Sequence, residues 1–320
     1  MNSRERITVS IRLEQPDRIP IGEITVPDGL ICSFFNKSRI CFNERYNFLK
    51  QMDIDALCIE PDYGDYCGNR FPLLGNVKWI DLEKWSLMAD RFLFATLSGA
   101  FGWGIRAMGF IDFLKAVHQQ SSEIYDIIMD VERFNIDLAS RAVVQGADGI
   151  LIADDISHCH ATIIDPLMLK KLFFPSLARQ VEQIAKFNIP VFFHSDGNLN
   201  LIFNDIVEIG FQGLHCLDSN SQMRLADLKA SYGKKICLWG NLDANYLFSV
   251  EKTHEIVERV NDILDSAASG GGFIFGSSSG LAEGMLIKNI RIAFKTVLHD
   301  TRYGALPQPH SQSSGKKLFT

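Results

Sequence analysis

The segment His194-Ser-Asp-Gly-Asn198 combines residues that can do acid–base or metal chemistry at a defined spacing. It follows an uncharged apolar run, residues 189–193, which predicts a strand buried on both faces. Side chains alternate along a strand, so an imidazole and a carboxylate two positions apart point to the same side. The carboxyl ends of the strands carry the chemistry in parallel α/β folds. His194 and Asp196 are therefore predicted to be catalytic.

Two kinds of chemistry fit this pair. In one, His194 ligates a metal ion and Asp196 is a second ligand or orients the ring, which makes the two residues the first candidates for a metal site. In the other, His194 is a general acid–base group tuned by Asp196. A structural histidine bonded to the backbone is the third interpretation. His158 and His160 could chelate zinc from a strand, but they lie in a segment predicted to be irregular.

Polar residues also follow the other predicted strands. Asp154 and Asp155 are adjacent, so at most one of them faces the site, and the other caps a helix or binds backbone. An inward carboxylate crowded by other acids should have a raised pKa and could donate or shuttle a proton. Alternatively, it stays ionised and accepts hydrogen bonds from a substrate N–H. Asp154 is predicted to be this catalytic group. The residues predicted to bind substrate are Glu23, Glu60, Asp155, Asn198, His215, Asn241, Asp243 and Ser277.

Short apolar runs that alternate with helical stretches must position these residues. The runs are Ile19–Ile24, Ala56–Glu60, Phe94–Ser98, Gly149–Ala153, Val191–His194, Gly213–Cys216, Ile236–Trp239 and Phe273–Gly276. Eight parallel strands close a barrel, so the sequence predicts an α/β fold, the (β/α)8 TIM barrel. Helices are predicted over Leu167–Lys186, Ile202–Ile209, Leu225–Tyr232 and Val250–Ala268. An open doubly wound sheet is the alternative, but no GxGxxG follows the first strand.

Composition limits the classes of partner and location. Residues 1–300 are predicted to form one barrel domain, and residues 301–320 a flexible tail. A net charge of −6 without a basic run gives no support for nucleic-acid binding. No run approaches the ~20 apolar residues that span a bilayer, so no membrane association is expected. The seven cysteines form no CxxC pair, which argues against disulfides and favours a cytoplasmic location.

Several motifs in register resemble the uroporphyrinogen decarboxylase superfamily, from the N-terminus to about residue 296. They are Arg4-Glu-Arg6, Gln15-Pro-Asp-Arg-Ile-Pro20, Gly146-Ala-Asp-Gly149, Asp154-Asp155, His194-Ser-Asp-Gly-Asn198, Gly213-Leu-His215, Tyr232-Gly233, Gly240-Asn-Leu-Asp243 and Gly270-Gly-Gly-Phe273 with Asn289. The resemblance implies a (β/α)8 barrel of the uroporphyrinogen decarboxylase type, in agreement with the count of strands.

The resemblance also implies two candidate activities, and the sequence departs from both patterns. Uroporphyrinogen decarboxylases carry an Arg-Gln-Ala-Gly-Arg segment after the first strand, whereas residues 22–28 read Gly-Glu-Ile-Thr-Val-Pro-Asp, without the arginines that hold a polycarboxylate. The corrinoid-dependent methyltransferases of the superfamily bind zinc through His-x-Cys and a later Cys. Here the corresponding residues are His194-Ser-Asp196 and Ser277-Ser-Ser279, so both sulfur ligands are replaced.

From the resemblance we expect a methyltransferase that moves a methyl group between a small O-methyl substrate and a corrinoid supplied by a partner protein. Asp154, His194, Asp196 and Asn241 would surround the substrate at the barrel's mouth, with zinc as a possible metal. Two alternatives stay open. One is decarboxylation of a tetrapyrrole precursor or a smaller acid, and the other is a ligand-binding paralogue without turnover. The sequence predicts no oligomeric state.

Overall fold

Ten strands form two sheets in the part of the chain that the computed structural model describes, residues 1–64, 71–88, 90–248 and 253–300. The strands are β1 (Gly22–Glu23), β2 (Ala56–Ile59), β3 (Pro61–Asp62), β4 (Lys78–Trp79), β5 (Phe92–Ser98), β6 (Gly149–Ala153), β7 (Val191–His194), β8 (Gly213–Cys216), β9 (Cys237–Leu242) and β10 (Phe273–Ser277). The short strands β3 and β4 pair antiparallel as a hairpin. The other eight form one sheet in chain order, β1-β2-β5-β6-β7-β8-β9-β10.

The eight-stranded sheet is parallel and closes into a barrel. A parallel bridge joins Ile21, next to β1, to Phe275 of β10, and the Phe275 N–H donates to the Pro20 carbonyl at 2.9 Å. This closure confirms the predicted (β/α)8 barrel and excludes the open doubly wound sheet. The first strand is shorter than the predicted Ile19–Ile24, because only two of its residues pair with β2.

Helices surround the barrel, and within the described residues none is long and apolar enough to cross a bilayer. They are α1 (Ser3–Ile11), α2 (Asp28–Phe35), α3 (Phe42–Gln51), α4 (Leu82–Met88), α5 (Ala100–Met108), α6 (Phe110–Gln119), α7 (Ser122–Val144), α8 (Pro166–Met168), α9 (Phe174–Ala185), α10 (Phe203–Ile209), α11 (Leu225–Tyr232), α12 (Thr253–Ala267) and α13 (Ile287–Leu298). Residues 249–252, where a helix was predicted to begin, lie outside the described residues, as does the predicted tail 301–320.

The predicted helix Leu167–Lys186 is interrupted. A π-helical segment, Leu169–Phe173, separates α8 from α9. Pro175 lies in the first turn of α9. Proline has no N–H and cannot donate to the carbonyl four residues earlier, so the backbone widens at this point instead of continuing as a regular α-helix.

Large apolar side chains fill the barrel below its mouth. The rings of Phe94 and Trp239 lie 5.3 Å apart, those of Phe94 and Phe192 4.9 Å apart, and Ile274 is buried in the same cluster. Ile7 of α1 joins this cluster and is fully buried. Because an apolar plug occupies the interior, inward polar groups are accommodated only near the carboxyl ends of the strands, where His194 ends β7.

An ionic network fastens the N-terminal segment to the barrel. The fully buried Asp55 accepts hydrogen bonds from Arg6 at 2.7 Å, from Arg18 at 2.8 and 3.0 Å and from the Ser3 hydroxyl at 2.7 Å. Arg6 also binds Asp17 at 2.6 Å. The N-terminal motif is therefore engaged in structural ion pairs.

Candidate active site

Three side chains meet where β6 and β7 end. Asp155, His194 and Asp196 each offer a ligand atom, and these atoms lie within 4.8 Å of one another. His194 Nε2 is 3.9 Å from an oxygen of Asp155 and 3.9 Å from an oxygen of Asp196. The carboxylate side chains are 61% and 53% exposed, whereas the imidazole is 11% exposed. The two carboxylates of the cluster therefore face solvent, and the imidazole lies beneath them.

The turn after β7 holds the two acids in place. The Asp196 N–H donates to Asp155 Oδ1 at 2.9 Å. The Ser195 hydroxyl accepts from the Ile156 N–H at 3.1 Å and donates to the Asp196 carbonyl at 3.0 Å. Gly197 follows with φ +91°, and a Cβ there would lie 2.7 Å from the backbone of residues 157 and 158. Glycine is therefore required for the close approach that orders the site.

His194 is supported from beneath by a second histidine. Its Nδ1 lies 2.9 Å from Nδ1 of His215, and His215 Nε2 lies 3.2 Å from the Ser277 carbonyl oxygen. His215 is fully buried. Burial, together with the adjacent His194 ring, holds the pKa of His215 well below its usual value. His215 is thus a neutral ring that contacts His194 and is closed off from solvent.

Asp154 does not join the cluster. Its carboxylate accepts from the Phe101 N–H at 3.0 Å and the Gly102 N–H at 2.7 Å, in the first turn of α5. A Cβ at Gly99 would overlap this carboxylate. Burial raises the pKa of Asp154 to about 7, although the two N–H donors lower it. Of the two adjacent acids, Asp154 caps a helix and Asp155 faces His194, the reverse of the roles predicted from sequence.

Glu23 and Ser277 bind each other. The Glu23 carboxyl accepts from the Ser277 N–H at 3.0 Å and the Ser277 hydroxyl at 2.6 Å. Burial raises the pKa of Glu23 to about 7. Glu23 and Glu60 also line a pocket of about 250 Å³ on the β1–β2 side. Since β1 and β7 are four strands apart in an eight-stranded barrel, this pocket lies across the barrel from His194.

Asn198, Asn241 and Asp243, which were predicted to bind substrate, form hydrogen bonds with the backbone. The buried Asn198 side chain accepts from the Asn200 N–H at 3.0 Å, and Asn241 donates to the Leu217 carbonyl at 2.8 Å. The Asp243 carboxylate accepts from the Asn245 N–H at 2.9 Å. No contact links these side chains to His194 in the described residues, so their role in binding substrate stays a prediction.

His158 and His160 do not form a metal cluster with other ligands within the described part of the chain. Both are exposed, and their ring centroids lie 6.0 Å apart. The His160 N–H donates to His158 Nδ1 at 3.3 Å, which occupies that nitrogen. The sequence predicted that this pair lies in an irregular segment and that His194 lies at the end of a strand, and the structure agrees on both points. The difference arises because only His194 lies on a strand beside two carboxylates.

The donor set of the cluster can be compared with what a divalent cation requires. Metal–ligand bonds of about 2.1 Å at tetrahedral angles put neighbouring ligand atoms about 3.4 Å apart. The observed N···O separations of 3.9 Å, in a set of ligand atoms that spans up to 4.8 Å, are wider than this, so the side chains would have to move closer together on binding. One imidazole and two carboxylates suit a hard or borderline ion. The set fits such a cation, but not a zinc site that binds thiolates.

Comparisons with known proteins agree with this architecture. A model of the uroporphyrinogen decarboxylase (URO-D) family matches residues 83–299. No curated protein sequence matches the chain. Among solved structures, the chain is similar to a methyltransferase from Methanosarcina mazei, at 15% identity and a TM-score of 0.72, over 92% of this chain and 98% of the other.

Two further structures share the barrel. One is a putative vitamin-B12 independent methionine synthase from Listeria monocytogenes, with 11% identity, a TM-score of 0.52, and coverage of 89% and 98%. The other is an intracellular xylanase from Thermoanaerobacterium saccharolyticum, with 10% identity, a TM-score of 0.55, and coverage of 88% and 95%. At such identities the likeness shows the fold alone. The family match is broader evidence, because it spans more than half of the chain and includes Asp155, His194 and Asp196. The chain belongs to the uroporphyrinogen decarboxylase family.

Proposed function

We propose that this protein is a methyltransferase that takes a methyl group from a small O-methyl substrate and transfers it to a corrinoid carried by a separate protein. The reaction centre is the cluster of Asp155, His194 and Asp196 at the carboxyl ends of β6 and β7. The observation that carries the proposal is the convergence of these three potential ligands within 4.8 Å at an open rim. In barrels of this kind the substrate binds at that rim.

The chemistry of a methyl ether explains why such a cluster is useful. When the methyl group leaves for a nucleophile, the carbon–oxygen bond breaks and its electron pair stays on oxygen, so a charge develops there. A divalent cation, when bound, would supply Lewis acidity at that oxygen. Asp155 and Asp196 provide the negative charge that attracts the cation, and His194 Nε2 provides the third ligand. The side chains of both acids are exposed, so a substrate can reach them from solvent.

The same residues disfavour other substrates of the family. A thiol substrate calls for a soft, thiolate-bound zinc, and this cluster has oxygen and nitrogen donors only. A polycarboxylate such as a porphyrinogen would meet two exposed carboxylates without the paired arginines of the decarboxylase motif. The carboxylates of the substrate and those of Asp155 and Asp196 would repel one another, and no arginine pair would orient the substrate, so it would bind weakly.

Two further observations support the proposal. The structural relative from Methanosarcina mazei is described as a methyltransferase, and we extend that activity to this chain as part of the proposal. The six cysteines among the described residues are free. They fit a reducing, cytoplasmic location, which a reduced corrinoid partner also requires.

The test is a methyl-transfer assay. The metal-supplemented protein is mixed with a reduced corrinoid protein and, separately, with methyl ethers, methylamines and methanol, while the methylcobalamin spectrum is recorded. We expect methylation with an O-methyl donor, reduced at least about 100-fold in a His194→Ala variant, since it removes a residue at the reaction centre. The control is Asp112→Asn, at an exposed site on α6, which should retain the rate. If no donor produces methylcobalamin, the proposal is wrong.

A further inference from the structure

The contact between His194 and His215 fixes where the protons lie. His215 Nε2 is 3.2 Å from the Ser277 carbonyl oxygen, and a carbonyl can only accept, so this nitrogen carries a proton. The two Nδ1 atoms are 2.9 Å apart, a hydrogen-bond distance. One of them must therefore donate and the other accept.

Burial decides which Nδ1 is the donor. If His215 also carried a proton on Nδ1, the ring would be a cation at a fully buried position. Its contacts there are a carbonyl, another imidazole and the indole of Trp239, whose ring centroid is 4.9 Å away in a T-shaped arrangement. No carboxylate contacts His215 among the described residues, and an unpaired buried charge is costly. His215 Nδ1 is then the acceptor, and His194 Nδ1 donates to it.

The remaining nitrogen of His194 follows from this. A neutral ring with its proton on Nδ1 has a lone pair on Nε2. That nitrogen is 3.9 Å from an oxygen of Asp155 and 3.9 Å from an oxygen of Asp196. We propose that His215 is a positioning residue that holds His194 in the Nδ1–H tautomer, so that its Nε2 lone pair points between the two carboxylates and is ready to bind a cation.

This role rests on the proposed function only where it concerns the cation. The tautomer is a property of the protein without metal. With the opposite tautomer, His194 would present an N–H to the space between the acids. That N–H could bind a carboxylate but could not ligate a metal. A hydrogen bond to the other ring nitrogen is the usual device by which proteins set a ligating histidine.

The first test measures the tautomer directly. Metal-free protein labelled with ¹⁵N-histidine is examined by long-range ¹H–¹⁵N correlation at a pH where the rings are neutral, and the His194 signals are assigned by their loss in His194→Ala. We expect a protonated Nδ1 and an unprotonated Nε2 at His194. The Nε2–H tautomer at this residue would overturn the inference, whatever the metal content or the activity.

The second test measures cation affinity in two variants. His215→Phe keeps an aromatic ring but loses the acceptor, so we expect the dissociation constant for Mn²⁺ or Zn²⁺ to rise about 10- to 100-fold. His215→Asn restores an oxygen near the Nδ1 position and should recover affinity to within about threefold, a rescue that packing alone would not give. Equal affinity in wild type and a folded His215→Phe variant would overturn the inference. If wild type binds no cation, the metal in the proposed function is wrong, and the tautomer measurement alone decides the role of His215.

Discussion

At the scale of single residues, the sequence predicted part of the site. The alternation of side chains along β7 was enough to bring His194 and Asp196 to one side. The same rule says that Asp154 and Asp155 point opposite ways, but not which of them faces the site. That choice depends on helix α5, whose first turn offers two N–H groups to Asp154. The contact with His215 could not be predicted, because it depends on the register between β7 and β8.

Substitution of Asp154 should lower stability, whereas substitution of Asp155 should weaken cation binding. Asp154→Ala leaves two N–H groups of α5 without their acceptor, so we expect a loss of about 1–3 kcal/mol in the free energy of unfolding. Its cation affinity should stay near the wild-type value. Asp155→Ala should do the opposite, weakening cation binding with little change in unfolding. Denaturant unfolding and calorimetric cation titration of both variants check this. If Asp154→Ala lost more cation affinity than Asp155→Ala, Asp154 and not Asp155 would be the ligand.

Glu23 should make stability depend on pH. Its pKa is raised by burial to about 7 in the folded protein, from an ordinary value of 4.5. The folded state therefore holds the proton more tightly than the unfolded state. Glu23's contribution to the free energy of unfolding is at its maximum below about pH 4.5 and is lost as the pH rises through about 7. Between pH 6 and 8 this loss amounts to about 1 kcal/mol. Thermal unfolding of Glu23→Gln should show a shallower decline over this range. An unchanged slope would contradict the assigned cause.

At the scale of elements, the turn after β7 orders the site. A side chain at Gly197 would have both an unfavourable φ of +91° and a clash with the backbone of residues 157 and 158. Gly270 is a matched position, since its φ is +79° but nothing lies within 4 Å of an added Cβ. The two glycines therefore separate backbone strain from crowding.

We expect Gly270→Ala to cost about 1 kcal/mol in the free energy of unfolding, from strain alone. Gly197→Ala should cost more than this, because the 157–158 segment must move away from residue 197. It should also weaken cation binding, since this segment follows Asp155 and residue 197 follows Asp196. Unfolding curves and cation titrations of the two variants are the measurement. Equal costs, with normal cation affinity in both, would mean that the close approach does not order the site.

At the scale of the whole molecule, the barrel could be predicted because eight apolar runs of strand length recur with helices between them. The closure itself follows from that count, but its register, in which Ile21 lies opposite Phe275, could not be predicted because the two strands are far apart in sequence. The N-terminal motif, Arg4-Glu-Arg6 with residues 15–20, contributed to the family resemblance, but the sequence alone gave no physical reason for these residues. The structure supplies that reason, because Asp55 pairs with Arg6 and Arg18.

Asp55 should be important for stability and not for cation binding. Asp55→Ala leaves Arg6 without its buried partner, and breaking a buried ion pair from one side costs about 3–5 kcal/mol. The variant should unfold at lower denaturant concentration, with cation affinity near wild type in the folded protein. Exposed pairs are a suitable control: Lys115→Ala on α6 should change stability by less than about 1 kcal/mol. Comparable losses in the two variants would contradict this account of the network.

The central claim is that Asp155, His194 and Asp196 together hold a divalent cation at the mouth of the barrel. Anomalous diffraction from a crystal soaked in Mn²⁺ or Co²⁺ tests it most directly. The account predicts one peak about 2.0–2.2 Å from His194 Nε2 and within bonding distance of both carboxylates. A peak elsewhere but not at these three residues, or no peak at a saturating concentration of the cation, would contradict it.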